Sequence, residues 1–217
     1  MSKDFLSKKQ KMYLPIKRIV DLLIVIISCI ILLPIGIFLC VAIKVESPGP
    51  ILFRQKRVGL RKRYFDIFKF RTMRVDTPKD VPTHMLTNPE QYITRIGAFL
   101  RKTSLDELPQ IINILKGDMS VIGPRPALWN QYDLIEERDR YCANNVRPGL
   151  TGWAQINGRD ELEIPIKAKL DGEYIRRMGL IFDIRCLIGT IFSVLKQEGV
   201  VEGGTGTTRH TKVEQEL

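Results

Sequence analysis

Hydrophobic positions along the chain fall into one long block and several shorter periodic segments. The first twenty residues are polar and basic, carrying Lys3, Lys8, Lys9, Lys11, Lys17 and Arg18, and an uncharged apolar block then runs from Leu22 to Ile43. At helical rise that block extends about 33 Å, enough to cross a bilayer core. Two features favour a different course. Lysines and arginines crowd both flanks, continuing with Lys44, Arg54, Lys56, Arg57, Arg61, Lys62 and Arg63, so the positive-inside rule wants both ends on one side. Pro34, with Gly36 nearby, interrupts the middle of the run. The pattern therefore predicts a re-entrant helix-break-helix over residues 17–45, broken at Pro34. Asp21, between basic neighbours, reads as an interfacial ion pair or cap.

Beyond the stop signal Glu46-Ser47-Pro48-Gly49-Pro50, Ile51 to Gln55 and Tyr64 to Phe70 predict two strands of a β-hairpin around a basic turn containing Gly59. Residues from Val75 to Pro89 hold three prolines without periodicity and read as a surface loop. Helical spacing returns from Tyr92 to Arg101, from Pro126 to Asn145 (with Leu128, Trp129, Tyr132, Leu134 and Ile135 as its core stripe) and from Lys167 to Arg177. Ile181 to Leu195 places Ile184, Leu187, Ile188, Ile191, Phe192 and Leu195 on one stripe. That helix is too short and polar to span, so it packs in the core or lies in the headgroup plane. The expected fold class is α+β, mostly helical with a small β-hairpin, an N-terminal re-entrant membrane helix and interfacial amphipathic helices. The 217 residues suffice for a single domain, with a catalytic part over 46–199 and a flexible Gly/Thr-rich tail over 200–217.

A formal charge of +10 points to an anionic partner: nucleic acid, a membrane surface or a phosphorylated substrate. Cys29, Cys40, Cys142 and Cys186 contain no C-x-x-C pair, which argues against a zinc site or a disulfide framework. His84 and His210 stand apart from other reactive side chains, so histidine chemistry is not expected.

Chemistry concentrates between Arg101 and Pro126. Asp106 and Glu107 are adjacent, arginines flank them, and Gly123-Pro124-Arg125-Pro126 follows as a rigid turn. Paired carboxylates with arginine suit a metal ion and a diphosphate. Ser104-Leu-Asp106-Glu107 also fits an ordinary capping box, with Ser104 as N-cap and Glu107 reaching back. Pro109 complicates that reading, because within the first turns it lacks an N–H the helix needs, so the helix starts either at Ser104 or at Pro109. Lys69, Arg71 and Arg57 face either solvent or a phosphate. Arg147-Pro-Gly149-Leu-Thr-Gly152-Trp-Ala-Gln155-Ile-Asn-Gly158-Arg159 is either a ligand loop, whose glycines admit close approach, or a plain turn.

Taken in order, the apolar run broken by Pro34, Ser47-Pro-Gly-Pro50, Lys69-Phe-Arg-Thr-Met73, Thr103-Ser-Leu-Asp106-Glu107-Leu-Pro-Gln110, Gly117-Asp-Met-Ser120, Gly123-Pro-Arg-Pro126 and Arg147-Pro-Gly-Leu-Thr-Gly-Trp-Ala-Gln155 resemble the bacterial sugar transferases known as monotopic phosphoglycosyl transferases. The likeness runs from about Lys17 to Gly204 and is nearest to minimal, capsule-initiating members. It implies transfer of a sugar 1-phosphate from a UDP-sugar, with an N-acetylated amino sugar favoured, to polyprenyl (undecaprenyl) phosphate with release of UMP. It further implies a covalent intermediate on Asp106, Mg2+ held by Glu107 with Asp106 beside it, and substrate phosphate or nucleotide binding at Lys69, Arg101, Arg125, Arg159 and Asp171. The expected partners are the UDP-sugar, polyprenyl phosphate and membrane lipids, not nucleic acid; homo-oligomerisation is left open. The expected location is the bacterial inner membrane, catalytic part toward the cytoplasm. The chain departs from the family in having Leu33-Pro34 where well-studied members have Ser-Pro at the helix break. Two rival functions fit the composition: a membrane-anchored basic protein binding anionic lipid or nucleic acid, and a glycosyltransferase that releases UDP.

Overall fold

The computed structural model describes residues 5–77, 89–158 and 162–196. The sequence-predicted tail, most of the proline-containing loop, Arg159, His84 and His210 lie outside the described residues. The chain folds as α1 (Lys8–Glu46), a β-hairpin of β1 (Leu52–Val58) and β2 (Tyr64–Phe70), α2 (Arg95–Thr103), α3 (Gln110–Lys116), β3 (Ser120–Ile122), α4 (Tyr132–Asp139), β4 (Gly149–Thr151), α5 (Trp153–Ile156), α6 (Ile164–Arg177) and α7 (Leu180–Lys196). This is the expected α+β class, mostly helical, with β1 and β2 antiparallel and β3 and β4 a short parallel pair.

Helix α1 starts at a true capping box in which Ser7 and Gln10 exchange side-chain and backbone bonds. It stays helical through Pro15 and Pro34. The interruption expected at Pro34 is thus absent: the proline deprives only the Ile30 carbonyl of its donor, and the surrounding turns keep helical geometry. The helix is long and apolar enough to cross a membrane, yet both of its ends dock on the same body. Toward the N-terminus, Tyr13, Lys17, Asp21 and Val25 are buried at four-residue spacing; toward the C-terminus, Leu39 and Ile43 are buried. Between them residues 30–38 bury nothing, and Ile30 and Phe38 are 72% and 71% exposed.

The N-terminal dock is polar at its centre. Lys17 Nζ lies 2.6 Å from Asp183 on α7, which also accepts from the hydroxyls of Tyr13 and Tyr174 at 2.8 and 2.9 Å. Asp21 is the ion-pair residue expected, 3.9 Å from Lys17, but it is buried rather than interfacial and accepts from Ser120 Oγ and the Val121 N–H. Around this network Val25, Ile67, Ile114, Met119, Tyr174, Ile175, Met178 and Phe182 form the main core. A second cluster joins Val58 to Leu134, Ile135 and Ala168, and a third joins Leu39 and Ile43 of α1 to Phe70 and Leu100.

Two helices differ from the sequence pattern. The segment expected to be helical over Pro126 to Asn145 is α-helical only from Tyr132 to Asp139, with a separate 3₁₀ turn at Ala143–Asn145, because Leu128 is drawn into a bridge with Arg57 and Cys142 takes a left-handed conformation. Leu134 and Ile135 are buried there, while Trp129 and Tyr132 are exposed. On α7 the core-facing residues are Phe182, Asp183 and Cys186; of the expected stripe Leu187 is half-buried against the main core, whereas Ile184, Ile188, Ile191 and Phe192 are exposed, joined by Ile181. The core alternative therefore holds for Leu187 and fails for the four exposed residues.

Candidate active site

Asp106 and Glu107 occupy a single 3₁₀ turn, Leu105–Glu107, between α2 and α3. Ser104 adopts a left-handed conformation (φ 56°) and ends α2 as its C-cap, so the capping box is not formed; α3 begins after Pro109. That settles the alternative left open by the sequence. A β-branched residue at position 104 would strain this turn, whereas a small polar one tolerates it at modest cost.

Three cationic side chains converge on the dyad. Lys69, near the end of β2, reaches Glu107 Oε1 at 2.9 Å and Asp106 Oδ2 at 3.7 Å. Arg125 lays its fork on Glu107, with Nη2 2.6 Å from Oε1 and Nη1 3.4 Å from Oε2. Arg101 is aligned by its Nε bond to Thr72 Oγ1 at 2.9 Å, and its charge acts on Asp106. Glu107 is thus gripped by two cations, while Asp106 makes no hydrogen bond among the described residues. Burial pushes the Asp106 carboxyl above the usual carboxylate range; Lys69 opposes this, Glu107 adds to it, and Arg125 and Arg101 oppose it.

The glycine-rich loop explains how Arg125 is held. Gly149 and Gly152 do not open space for a ligand: a Cβ on Gly149 would lie 2.1 Å from the Gly123 nitrogen, and one on Gly152 2.1 Å from the Gly123 oxygen. The loop backbone packs directly on the Gly123-Pro124 turn, with Gly149 N donating to Pro124 O at 2.9 Å and Gly123 N to Thr151 O at 2.8 Å. At Gly149 and Gly152 the glycines bring backbone to backbone, and Arg125 projects from the clamped turn.

Asp171, to which the resemblance gives a substrate-binding role, lies in a buried ion pair. It is 1% exposed within the α4–α6 packing, and its Oδ2 accepts from Arg138 Nε at 2.7 Å and Nη2 at 2.6 Å. Burial raises its carboxyl and Arg138 lowers it. Among the described residues no hydrogen bond or ion pair links it to the dyad. Arg71 likewise turns away from phosphate chemistry, buried against backbone carbonyls at the end of α1. Sequence reasoning missed Asn113. It is fully buried on α3, accepts from Phe68 N at 3.0 Å and donates to Asp66 O at 2.7 Å, fastening the helix behind the dyad to the strand bearing Lys69. Its signal was an asparagine within the apolar run Ile111-Ile-Asn113-Ile-Leu115.

Among the described residues no group of three or more histidine, cysteine or acidic side chains could cage a metal. Two adjacent carboxylates nonetheless fit magnesium, which keeps most of its waters and takes one or two carboxylates together with substrate phosphates. Residues 12–197 match the family model of bacterial sugar transferases. Of characterised relatives, the UDP-glucose:undecaprenyl-phosphate glucose-1-phosphate transferase of Xanthomonas campestris pv. campestris is 42% identical over 84% of this chain and 39% of its own length. The UDP-N-acetylgalactosamine-undecaprenyl-phosphate N-acetylgalactosaminephosphotransferase of Aeromonas hydrophila is 38% identical over 84% of this chain and 44% of its own length. The uncharacterized sugar transferase EpsL of Bacillus subtilis (strain 168) is 36% identical over 92% of this chain and 95% of its own length. The chain thus spans about two-fifths of the longer relatives and nearly all of the short one.

Proposed function

Because the chain belongs to the bacterial sugar transferase family, we propose that it moves a sugar 1-phosphate from a UDP-sugar to polyprenyl phosphate, releasing UMP. The observation that carries this reading is the division of labour in the dyad: Glu107 is locked by Lys69 and Arg125, and Asp106 beside it, 3.7 Å from Lys69, accepts no hydrogen bond among the described residues. In the first step an Asp106 oxygen attacks the phosphorus bearing the sugar, and the bond from that phosphorus to the bridging oxygen breaks, its electron pair leaving with UMP. In the second step an oxygen of polyprenyl phosphate attacks the same phosphorus and the Asp106–phosphorus bond breaks, restoring the carboxylate. Lys69, Arg125 and Arg101 supply positive charge where phosphate oxygens gather. Glu107, with Asp106, would hold Mg2+, which when bound neutralises charge on the diphosphate.

The donor is a UDP-sugar; relatives named for glucose and for N-acetylgalactosamine both align well, so the amino sugar favoured by the sequence reading is one member of the assay panel. The membrane reading is supported by α1, an unbroken helix long and apolar enough to cross a bilayer core, whose bare stretch over residues 30–38 would face lipid while both its ends pack on the catalytic body, here at the cytoplasmic face of the inner membrane. The exposed apolar stripe of α7 would rest at the headgroup boundary.

The test is UMP release from a panel of UDP-sugars with undecaprenyl phosphate, alongside Asp106→Asn. The variant is expected to fold, attach to membranes and lose turnover. Wild-type rates in that variant, with deamidation excluded, would remove Asp106 as nucleophile. Release of UDP instead of UMP would replace the reaction itself.

A further inference from the structure

The segment Lys69-Phe70-Arg71-Thr72 serves two masters in alternation. Lys69 grips the dyad and Thr72 aligns Arg101, while Phe70 packs on Leu39, Ile43 and Leu100. Arg71 is 7% exposed and faces no carboxylate among the described residues. Its guanidinium donates to Pro48 O at 2.6 Å, to Ser47 O at 2.7 Å and to Ile43 O at 3.4 Å. Those carbonyls form the exit of α1, where a buried cation is stabilised by the negative end of the helix dipole. The last residue of α1, Glu46, makes the reciprocal contact: its carboxylate accepts from the Arg95 N–H at 2.7 Å and the Ile96 N–H at 3.1 Å, at the positive end of α2. Helix α2 then leads through Ser104 into the dyad, and Lys69 returns to β2 and Arg71. The contacts close a ring around Phe70 and Leu100: α1 exit, Glu46, α2, dyad, Lys69, β2, Arg71, α1 exit.

We propose that Arg71 and Glu46 form a clasp that positions the active site against the membrane helix, so that the seating of α1 sets how Asp106 meets a lipid-borne acceptor. This deepens the reading above and rests on it. Neither residue touches the reacting groups; both act through α2 and β2 on Asp106 and Lys69. A loosened clasp leaves the soluble donor able to reach the dyad, and misaligns the dyad relative to the membrane. The acceptor half-reaction carries the loss.

The experiment uses the full chain in vesicles, with Arg71→Lys, which keeps the charge and loses the fork, Glu46→Ala and the double variant. Donor chemistry is read as the burst of UMP without acceptor, acceptor chemistry as kcat/KM for undecaprenyl phosphate. For Arg71→Lys the burst stays within about twofold and acceptor kcat/KM falls roughly tenfold or more, since misplacement by about 1 Å away from the chemistry reaches losses near 10²-fold. Glu46→Ala falls the same way, and the double variant is no worse than the poorer single, as expected of one coupled device. Unchanged acceptor kinetics, or burst and acceptor rates falling together with the folded fraction, would overturn the clasp. Amide exchange supplies a readout without turnover: Arg71→Lys speeds exchange at Arg95, Ile96, Glu107 and Leu108. If no UDP-sugar yields UMP with the wild type, the transferase reading fails, and unchanged exchange at those amides would sink the clasp separately.

Discussion

Gly149→Ala is one added methyl group far from any reacting atom, and it is expected to disable the enzyme. The new carbon would sit 2.1 Å from Gly123 N, 2.4 Å from Thr151 O and 2.7 Å from Gly123 Cα. All three are backbone atoms of the β3–β4 pairing or the turn after it, so no side-chain rotation gives relief. Restoring an ordinary contact of roughly 3.5 Å separates the two backbones by more than about 1 Å. Gly123 lies two residues before Arg125, whose contact with Glu107 is 2.6 Å long, and a displacement of that size ends it. Overpacking costs about 1–3 kcal/mol of stability, and a misplacement near 1 Å costs on the order of 10² in rate. The assay is kcat/KM from UMP release, with thermal unfolding followed by circular dichroism to correct for the folded fraction. Gly36→Ala is the matched control, because a Cβ there meets nothing within 4 Å, and it should leave activity unchanged. Arg125→Lys should reproduce the loss in rate without the loss in stability. A Gly149→Ala enzyme within twofold of wild type would refute the idea that this loop exists to hold Arg125.

Because the Asp106 carboxyl is raised, the acid limb of kcat/KM should fall at a pH above the ordinary carboxylate value of 3.8. A raised native value means the folded state binds the proton more tightly, so its contribution to stability declines as pH rises from 3.8 through that value; Asp106→Asn should therefore be at least as stable as wild type at pH 7 by thermal unfolding. Arg138→Ala strands the buried Asp171 charge and should cost about 3–5 kcal/mol in denaturant unfolding, whereas Arg138→Met with Asp171→Leu should recover most of it; lost activity at unchanged stability would return Asp171 to the active site. Replacing Ile184 and Ile188 on the exposed stripe of α7 by Asp should weaken vesicle binding in flotation assays without lowering the unfolding temperature; undiminished flotation would mean that α1 alone anchors the chain.

What was legible in the sequence divides by how local the cause is. The hairpin, the two C-terminal helices and the juxtaposition of Asp106 with Glu107 follow from spacing and turn chemistry over a few residues. The start of α3 followed from Pro109 once the left-handed Ser104 removed the rival cap. Asp171 and Arg71 were not legible, because a buried charge is recognised by its partner, and the partners are Arg138, 33 positions away, and carbonyls at Ile43, Ser47 and Pro48. A carboxylate in a ligand site and one in a buried pair look alike along the chain. The α7 stripe stayed ambiguous for a related reason: its apolar period names a face without saying whether protein or lipid covers it.

The glycines make the same point in the opposite direction. Close approach of a backbone is a correct inference from Gly149 and Gly152, but the chain does not say what approaches. Here the approaching backbone is the protein's own, and the functional consequence lies two residues further on, in the aim of Arg125 on Glu107. With Lys69 and Arg125 both committed to Glu107, a phosphate entering the site must compete for cations already bound to a carboxylate. Donor binding should then loosen Glu107 as it recruits those cations. A Glu107→Gln variant, holding them less tightly, should bind the UMP product more strongly while losing turnover. Isothermal titration of UMP against that variant decides it: equal affinity in both proteins would show that the two cations hold Glu107 for rigidity alone.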